Sequence, residues 1–307
     1  MKNANASTAV SSIKPTRADR IFDVLMLVIS ILFLLVAAYP LYLMIIASFS
    51  EPEAVSQGKV LLYPVGFSLR GYQYIFQSRD IWMGYGNTIL YTGLGTFGGT
   101  MITVMAAYAL SREDMPGRKL LIKLCIFTMF FSGGMIPTYL VMNSLSLTNT
   151  RLILILMGMF TCYNMIIART FFANSLPKEL LEAASIDGCG NTRFFFTIAL
   201  PLSKAIVAVI ALYIGVMYWN NYFTALIYVT KREYFPLQLI LREILVLGQQ
   251  LAQGGEGADV DAILEMQKIS ESIKYGVILV SMLPVMLVYP FVQKYFVQGV
   301  MIGSVKG

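Results

Sequence analysis

The chain has 307 residues, 57% of them hydrophobic and 13% charged, and its mean hydropathy is +0.68. That charged share is about half of what a soluble domain carries, which excludes a large soluble core and points to a polytopic membrane protein. The net charge of +6 would suggest nucleic acid in a soluble protein. In a membrane protein it reads instead as Lys and Arg on cytoplasmic loops, with the lipid bilayer and no nucleic acid as partner.

A short basic tail, residues 1–20, precedes the first apolar run, Ile21–Phe49. That run holds one charge, Asp23, and is too long for the apolar core of a signal peptide, so it reads as an uncleaved span. Residues 50–83 follow as a polar connection. The second span, Gly84–Leu110, carries Asn87 and Tyr91 and is rich in small residues. Its Gly95 and Gly99 form a GxxxG pair, which favours close helix packing. Leu124–Met142 is the third span. Its Ser132-Gly133-Gly134 and Pro137 predict a kink or unwound turn, with a simple bend weighed slightly above a gate hinge. Leu152–Phe172, with Tyr163 and Asn164, is the fourth, and Leu202–Tyr228 the fifth. Near its end the fifth holds Trp219-Asn220-Asn221-Tyr222. Residues 229–274 begin with a helix-like Pro236–Leu247, then a Gly-rich Gln253–Gly257, then a helix near Asp259–Lys274. Tyr275–Phe291 is the sixth span, and residues 294–307 form the tail.

Charge distribution sets the orientation. The N-terminal tail, the loop after span two, the loop after span four and the C-terminal tail hold fourteen Lys and Arg, against nine elsewhere. Both termini and residues 173–201 are therefore expected on the cytoplasmic side of the membrane, with 51–83 and 229–272 outside. No Asp, Glu, Lys or Arg lies near the middle of any span. That argues against an ion-coupled secondary carrier and for a neutral cargo. An integral membrane enzyme is disfavoured because the chain has no His, no clustered carboxylates and no Cys–His pair. Cys125, Cys162 and Cys189 are far apart and read as small apolar side chains.

Between spans four and five the sequence reads ELLEAASIDGCGNTRFFFTIALP, residues 179–201. Ser175 is a possible N-cap, with Pro177 in the first turn and Glu179 at the positive end of the helix dipole. Leu176, Leu180, Ala183 and Ala184 share roughly one face. Asp187-Gly188 ends this helix. Asn191 or Thr192 would cap a second one carrying Phe194, Phe195 and Ile198, and Leu200-Pro201 leads into span five. By periodicity alone, such an amphipathic pair serves equally as a surface element lying in the headgroups.

Glu182-Ala183-Ala184, three residues, Gly188, nine residues, then Ile198-Ala199-Leu200-Pro201 resembles the EAA loop of ATP-binding-cassette (ABC) importer permeases, at its usual place before the penultimate span. Most of the chain is similar to carbohydrate importer permeases of the maltose-type second subunit. It is similar above all to the oligosaccharide and polysaccharide permeases of Gram-positive bacteria, through Tyr234–Gly248, Gln267–Tyr275 and the tail Gly299–Gly307. The resemblance implies an all-α, six-span type I importer permease with a cytoplasmic coupling helix. It implies that Glu182, Ala183, Ala184, Gly188, Ile198, Leu200 and Pro201 form the ATPase-coupling element, with Pro201 starting span five. It implies partners: a second homologous permease, two ABC ATPase subunits that bind the ATP and Mg, and an extracellular sugar-binding protein docked on the outer regions. This chain itself would carry no cofactor.

The uncharged polar and aromatic groups in the spans are candidates for the cargo pathway: Trp219, Asn220, Asn221, Tyr222, Tyr163, Asn164, Asn87 and Tyr91. Rings stack on sugar faces and amides bond hydroxyls. An interfacial aromatic belt or helix–helix hydrogen bonds explain the same residue types. Consecutive helical positions point about 100° apart, so one or two of Trp219, Asn220, Asn221 and Tyr222 are expected to face the path, Asn220 or Asn221 as the amide and Trp219 or Tyr222 as the ring.

Overall fold

A computed structural model describes residues 16–252, 270, 273–288, 290 and 293. These residues are helical throughout, apart from connections and one isolated bridge between Ser50 and Phe67. Helix α1 spans Arg17–Ser48. It opens on a capping box in which the Thr16 hydroxyl accepts from the Asp19 amide and the Asp19 carboxylate accepts from the Thr16 amide. This helix starts before the apolar run because the cap, not the hydropathy, fixes its first turn. The chain's own core covers only its end, at Ile46, Ala47 and Ser48.

Two short helices, α2 (Pro52–Ser56) and α3 (Arg70–Gln77), lead to α4, Arg79–Ser111. At 33 residues α4 is roughly 50 Å long. The third apolar run is broken: α5 (Arg118–Phe130) and α6 (Met135–Ser144) meet at 116°. The break falls on Ser132-Gly133-Gly134, with Gly134 at φ 85°. Pro137 lies in the first turn of α6, where its missing N–H removes no helical bond. The fourth run also comes in two pieces, α7 (Arg151–Leu156) and α8 (Cys162–Ser175). The Thr161 hydroxyl accepts the Asn164 amide and starts α8 afresh, a break that hydropathy does not register. Next come α9 (Lys178–Ile186), α10 (Asn191–Phe194), a π-turn over Phe195–Ala199 and α11 (Leu200–Leu202). Then follow α12 (Lys204–Trp219), α13 (Phe223–Tyr228) and α14 (Leu237–Ala252). The sixth run is helical over Ile273–Val288, here α15. Among the described residues, α1 and α4 are each long and apolar enough to cross a bilayer alone.

The expected external helix at Pro236–Leu247 is present as α14. The Gly-rich 253–257, the region 259–272 and the tail 294–307 lie outside the described residues.

Helix α4 is the hub of the fold and packs against α12, α8 and α14. Its glycines set the approach distances. A Cβ at Gly95 would run into the Tyr218 ring, and one at Gly99 would sit 2.7 Å from the Met159 carbonyl oxygen. In lipid there is little hydrophobic drive between helices, so such close approach is what holds them. The Tyr218 hydroxyl, lodged against Gly95, donates to the Ile155 carbonyl and joins α12 to α7.

Candidate functional site

At its C-terminal end α4 forms a cluster that reaches into the EAA stretch. Val104, Ala107 and Tyr108 of α4 pack with Met165, Ala168 and Phe172 of α8 and with Ala184, Phe194, Phe195 and Ala199. Tyr108 lies edge-on to Phe172 at 5.7 Å and stacks with Phe194 at 6.4 Å. Two guanidinium groups, Arg118 and Arg169, each donate at 3.0 Å to the Leu110 carbonyl at the end of α4. Cations there oppose the negative end of the helix dipole.

The EAA helix α9 therefore has two faces. Ala184 is buried, and Leu176, Leu180 and Leu181 pack against the same cluster. Glu182, Ala183, Ser185, Ile186 and Asp187 are exposed. Ala183 thus turns away from Ala184 instead of sharing its face, as a 100° step between neighbours requires. Gly188 stands at φ 74°. Its amide donates to the Ser185 carbonyl, and the Cys189 amide reaches back to Ala184. That pair of bonds is a Schellman closure, and the left-handed residue within it is the one place on the loop that demands glycine.

Three local expectations are corrected. The cap of α9 is Pro177, not Ser175, which ends α8. The second helix is capped by Gly190, and Asn191 is its first residue. Pro201 does not start span five. The π-turn over Phe195–Ala199 carries the helix on through α11, and the chain turns 84° at Ser203 before α12 begins at Lys204. A proline cannot donate the amide that a regular helix needs at its position, and the π-turn ahead of it rearranges that bonding.

One exposed residue escaped the sequence reading. Ile186 is 87% exposed on the polar face of α9, one turn beyond Glu182. Its signal was present in the spacing: Glu182, Ala183 and Ile186 lie three and four residues apart, opposite Leu180 and Ala184.

The pathway candidates separate. Asn87 donates to the carbonyls of Glu233 and Phe235 at 2.9 and 3.0 Å. Tyr91 donates to Tyr234, and the Leu237 amide donates to Thr88. Asn87 and Tyr91 are buried and clamp the segment before α14 onto α4. Trp219 is buried and donates to the Ser281 carbonyl, joining α12 to α15. Asn221 exchanges hydrogen bonds with Thr224 at the start of α13. Asn164 is buried at the start of α8. Asn220, Tyr222 and Tyr163 remain exposed. Tyr163 lines a cavity of about 660 Å³ between α5 and α8 with Thr128, Phe160 and Thr161. Cys125 and Cys162 line it too, so two cysteines far apart in sequence are neighbours in space.

A family model, the binding-protein-dependent transport system inner membrane component, matches residues 7–302. The chain belongs to this family. It is 40% identical over 293 residues to the polygalacturonan/rhamnogalacturonan transport system permease protein YtcP of Bacillus subtilis, covering 94% of this chain and 99% of that one. Protein LplC of the same organism is 40% identical over 296 residues, covering 95% and 97%. In three dimensions the chain is similar, with a TM-score of 0.81 and 33% identity over 92% of this chain and 98% of the other, to a subunit of a bacterial ABC transporter involved in the import of the acidic polysaccharide alginate. This chain is accordingly an all-α, multi-pass permease subunit of an ABC importer. It is a transport component, not an enzyme, and membership implies ATPase and substrate-binding partners.

Proposed function

We propose that this chain is one of two related permease subunits of a bacterial plasma-membrane importer for oligosaccharides, delivered by an extracellular binding protein and driven by two ATPase subunits. The observation that carries the coupling part is the division of α9. Ala184, Leu180 and Ile198 bind the loop to the permease core, while Glu182, Ala183 and Ile186 stand free. A rigid helix with one face anchored and one face presented transmits a push from a docked subunit to α4 and α12. Gly188 closes that helix, and Ile198 and Leu200 of the return helix pack on the anchored side, with Pro201 exposed beside them. The positive-inside bias puts this loop and both termini in the cytoplasm, and residues 51–83 and 229–272 outside.

The sugar part rests on the relatives, whose names include polygalacturonan and arabinooligosaccharides. It also rests on the uncharged lining: Tyr163 on its cavity, with Asn220 and Tyr222 exposed at the end of α12. Reconstitution tests the whole reading. The chain should assemble with an ABC ATPase, and ATP hydrolysis should rise only with a sugar-loaded binding protein. In a cysteine-free background, Ser56→Cys should react with an impermeant thiol reagent from outside intact cells and Ser185→Cys should not. External labelling at 185 would overturn the orientation.

A further inference from the structure

Among the described residues, the end of the molecule around α13 and α14 carries cations without carboxylate partners. Arg232 takes both nearby acids, donating to Asp80 at 2.8 Å and to Glu243 at 3.2 Å, and the Asp80 carboxylate holds its pKa above the ordinary value. Arg242, beside Glu243, makes no ion pair among the described residues. Its guanidinium sits 5.7 Å from the centroid of the Tyr222 ring. The same arrangement recurs nearby, where Arg151 and Lys231 lie 5.1 and 5.4 Å from the centre of the Tyr234 ring. Among the described residues, three cations are thus held on rings and not on acids. Tyr222 is 38% exposed, and Asn220, two residues earlier, is exposed as well.

We infer that Arg242, Tyr222 and Asn220 form a recognition site for an acidic oligosaccharide, a chain bearing uronate carboxylates. The inference rests on the proposed sugar-import function and narrows its substrate class. The chemistry of the three groups is complementary to such a ligand. A guanidinium offers two parallel N–H donors to one carboxylate. A tyrosine ring supplies a flat apolar face for a pyranose. An amide bonds ring hydroxyls as both donor and acceptor. The ring fixes the guanidinium in place without neutralising it, so its charge and donors stay available. The expectation of an uncharged cargo came from span interiors without charge, and Arg242 lies outside them, on α14.

The test uses the complete importer in proteoliposomes with its binding protein. Uptake of a short galacturonate oligomer is compared with uptake of its fully methyl-esterified form, which has the same shape without the charge. Arg242→Gln should lower uptake of the acidic oligomer about ten-fold, the loss expected for one charge-assisted contact, and leave the ester unchanged. Arg242→Lys, which keeps the charge but not the planar fork, should recover part of the loss. Membrane level and ATPase assembly are measured for each variant. Equal losses for acid and ester, or no loss for the acid, would overturn the inference. A wild-type importer that takes up the ester and rejects the acid would overturn it while leaving oligosaccharide import intact. One that transports no glycan at all would overturn both.

Discussion

The loop at residues 178–202 and the stretch Trp219–Tyr222 are both rich in aromatic and polar residues, yet their side chains divide on different principles. In the loop the split follows helical geometry: every third or fourth residue faces the core, and the rest face outward. In the Trp219–Tyr222 stretch it follows the hydrogen-bond partner each side chain finds, a distant carbonyl for Trp219 and a neighbour three residues on for Asn221. Trp219 finds Ser281, Asn221 finds Thr224, and only Asn220 and Tyr222 are left exposed. Local spacing therefore decides roles in the first region, and individual hydrogen-bond partners, near or far, decide them in the second.

The largest expected effect breaks the second region. Trp219→Ala removes a buried ring and its bond to Ser281, a loss of about 3–5 kcal/mol by the usual scale of large-to-small core changes. Membrane level should collapse, and uptake per remaining molecule should stay near normal. Slow uptake at a normal protein level would return Trp219 to the pathway.

In the loop the sharpest break is Gly188→Val. No neighbour lies within 4 Å of a Cβ at this site, so the obstacle is backbone alone. A left-handed non-glycine residue costs about 1–2 kcal/mol, and more when β-branched. ATP-driven uptake should fall roughly ten-fold. Asn tolerates this conformation, so Gly188→Asn should stay near wild type. If the Asn variant is as poor as the Val variant, the site is crowded by a partner and the backbone argument fails.

Ile186→Asp tests whether the outward face is an interface. An apolar side chain exposed to 87% gains nothing for the isolated subunit. Truncating an interface anchor costs about 2 kcal/mol, so ATPase association measured by pull-down should weaken about thirty-fold. Thermal stability of the permease alone should not change. Unaltered assembly would remove Ile186 from the contact.

How far the sequence could be read follows the same division. All six apolar runs form helices where described, with breaks in the third, fourth and fifth, and the EAA spacing located the closure at Gly188 and the two helices around it. The breaks at 131–134 and 157–161 differ in legibility. The first is written in Ser132-Gly133-Gly134, whereas the second turns on a Thr161 cap inside an apolar run. The role of Asn87 and Tyr91 was not legible, because their partners, Glu233, Phe235 and Tyr234, lie more than 140 positions away. An amide in a span looks the same whether it binds a sugar or a backbone carbonyl.

Asn220→Ala sharpens what remains of the pathway. Its amide donates to the Val216 carbonyl one turn back, a local bond at an exposed site. Stability should hardly move. Losing one neutral hydrogen bond to cargo costs about 1 kcal/mol, so uptake should fall about five-fold. The loss should grow with the length of the oligosaccharide, since a longer chain touches more of the path. A loss that tracks protein level for every sugar would assign Asn220 to helix packing.

The smallest expected effect is that of Glu182→Ala, although Glu182 opens the motif. Its carboxylate is exposed, so any ion pair with a basic ATPase residue forms in a solvated rim and is screened by salt. Such pairs contribute about 0.2–1 kcal/mol, which corresponds to roughly a 1.4- to five-fold loss of assembly at low ionic strength. The loss should shrink as salt rises, because the wild type weakens while the variant does not. Gly188→Val should show no such salt dependence, since its defect is in the backbone. Measuring ATPase association across a salt series for both variants separates the two contributions. A Glu182→Ala defect as large as that of Gly188→Val, and insensitive to salt, would mean that the carboxylate is buried on docking and that the charge, not the helix closure, dominates coupling.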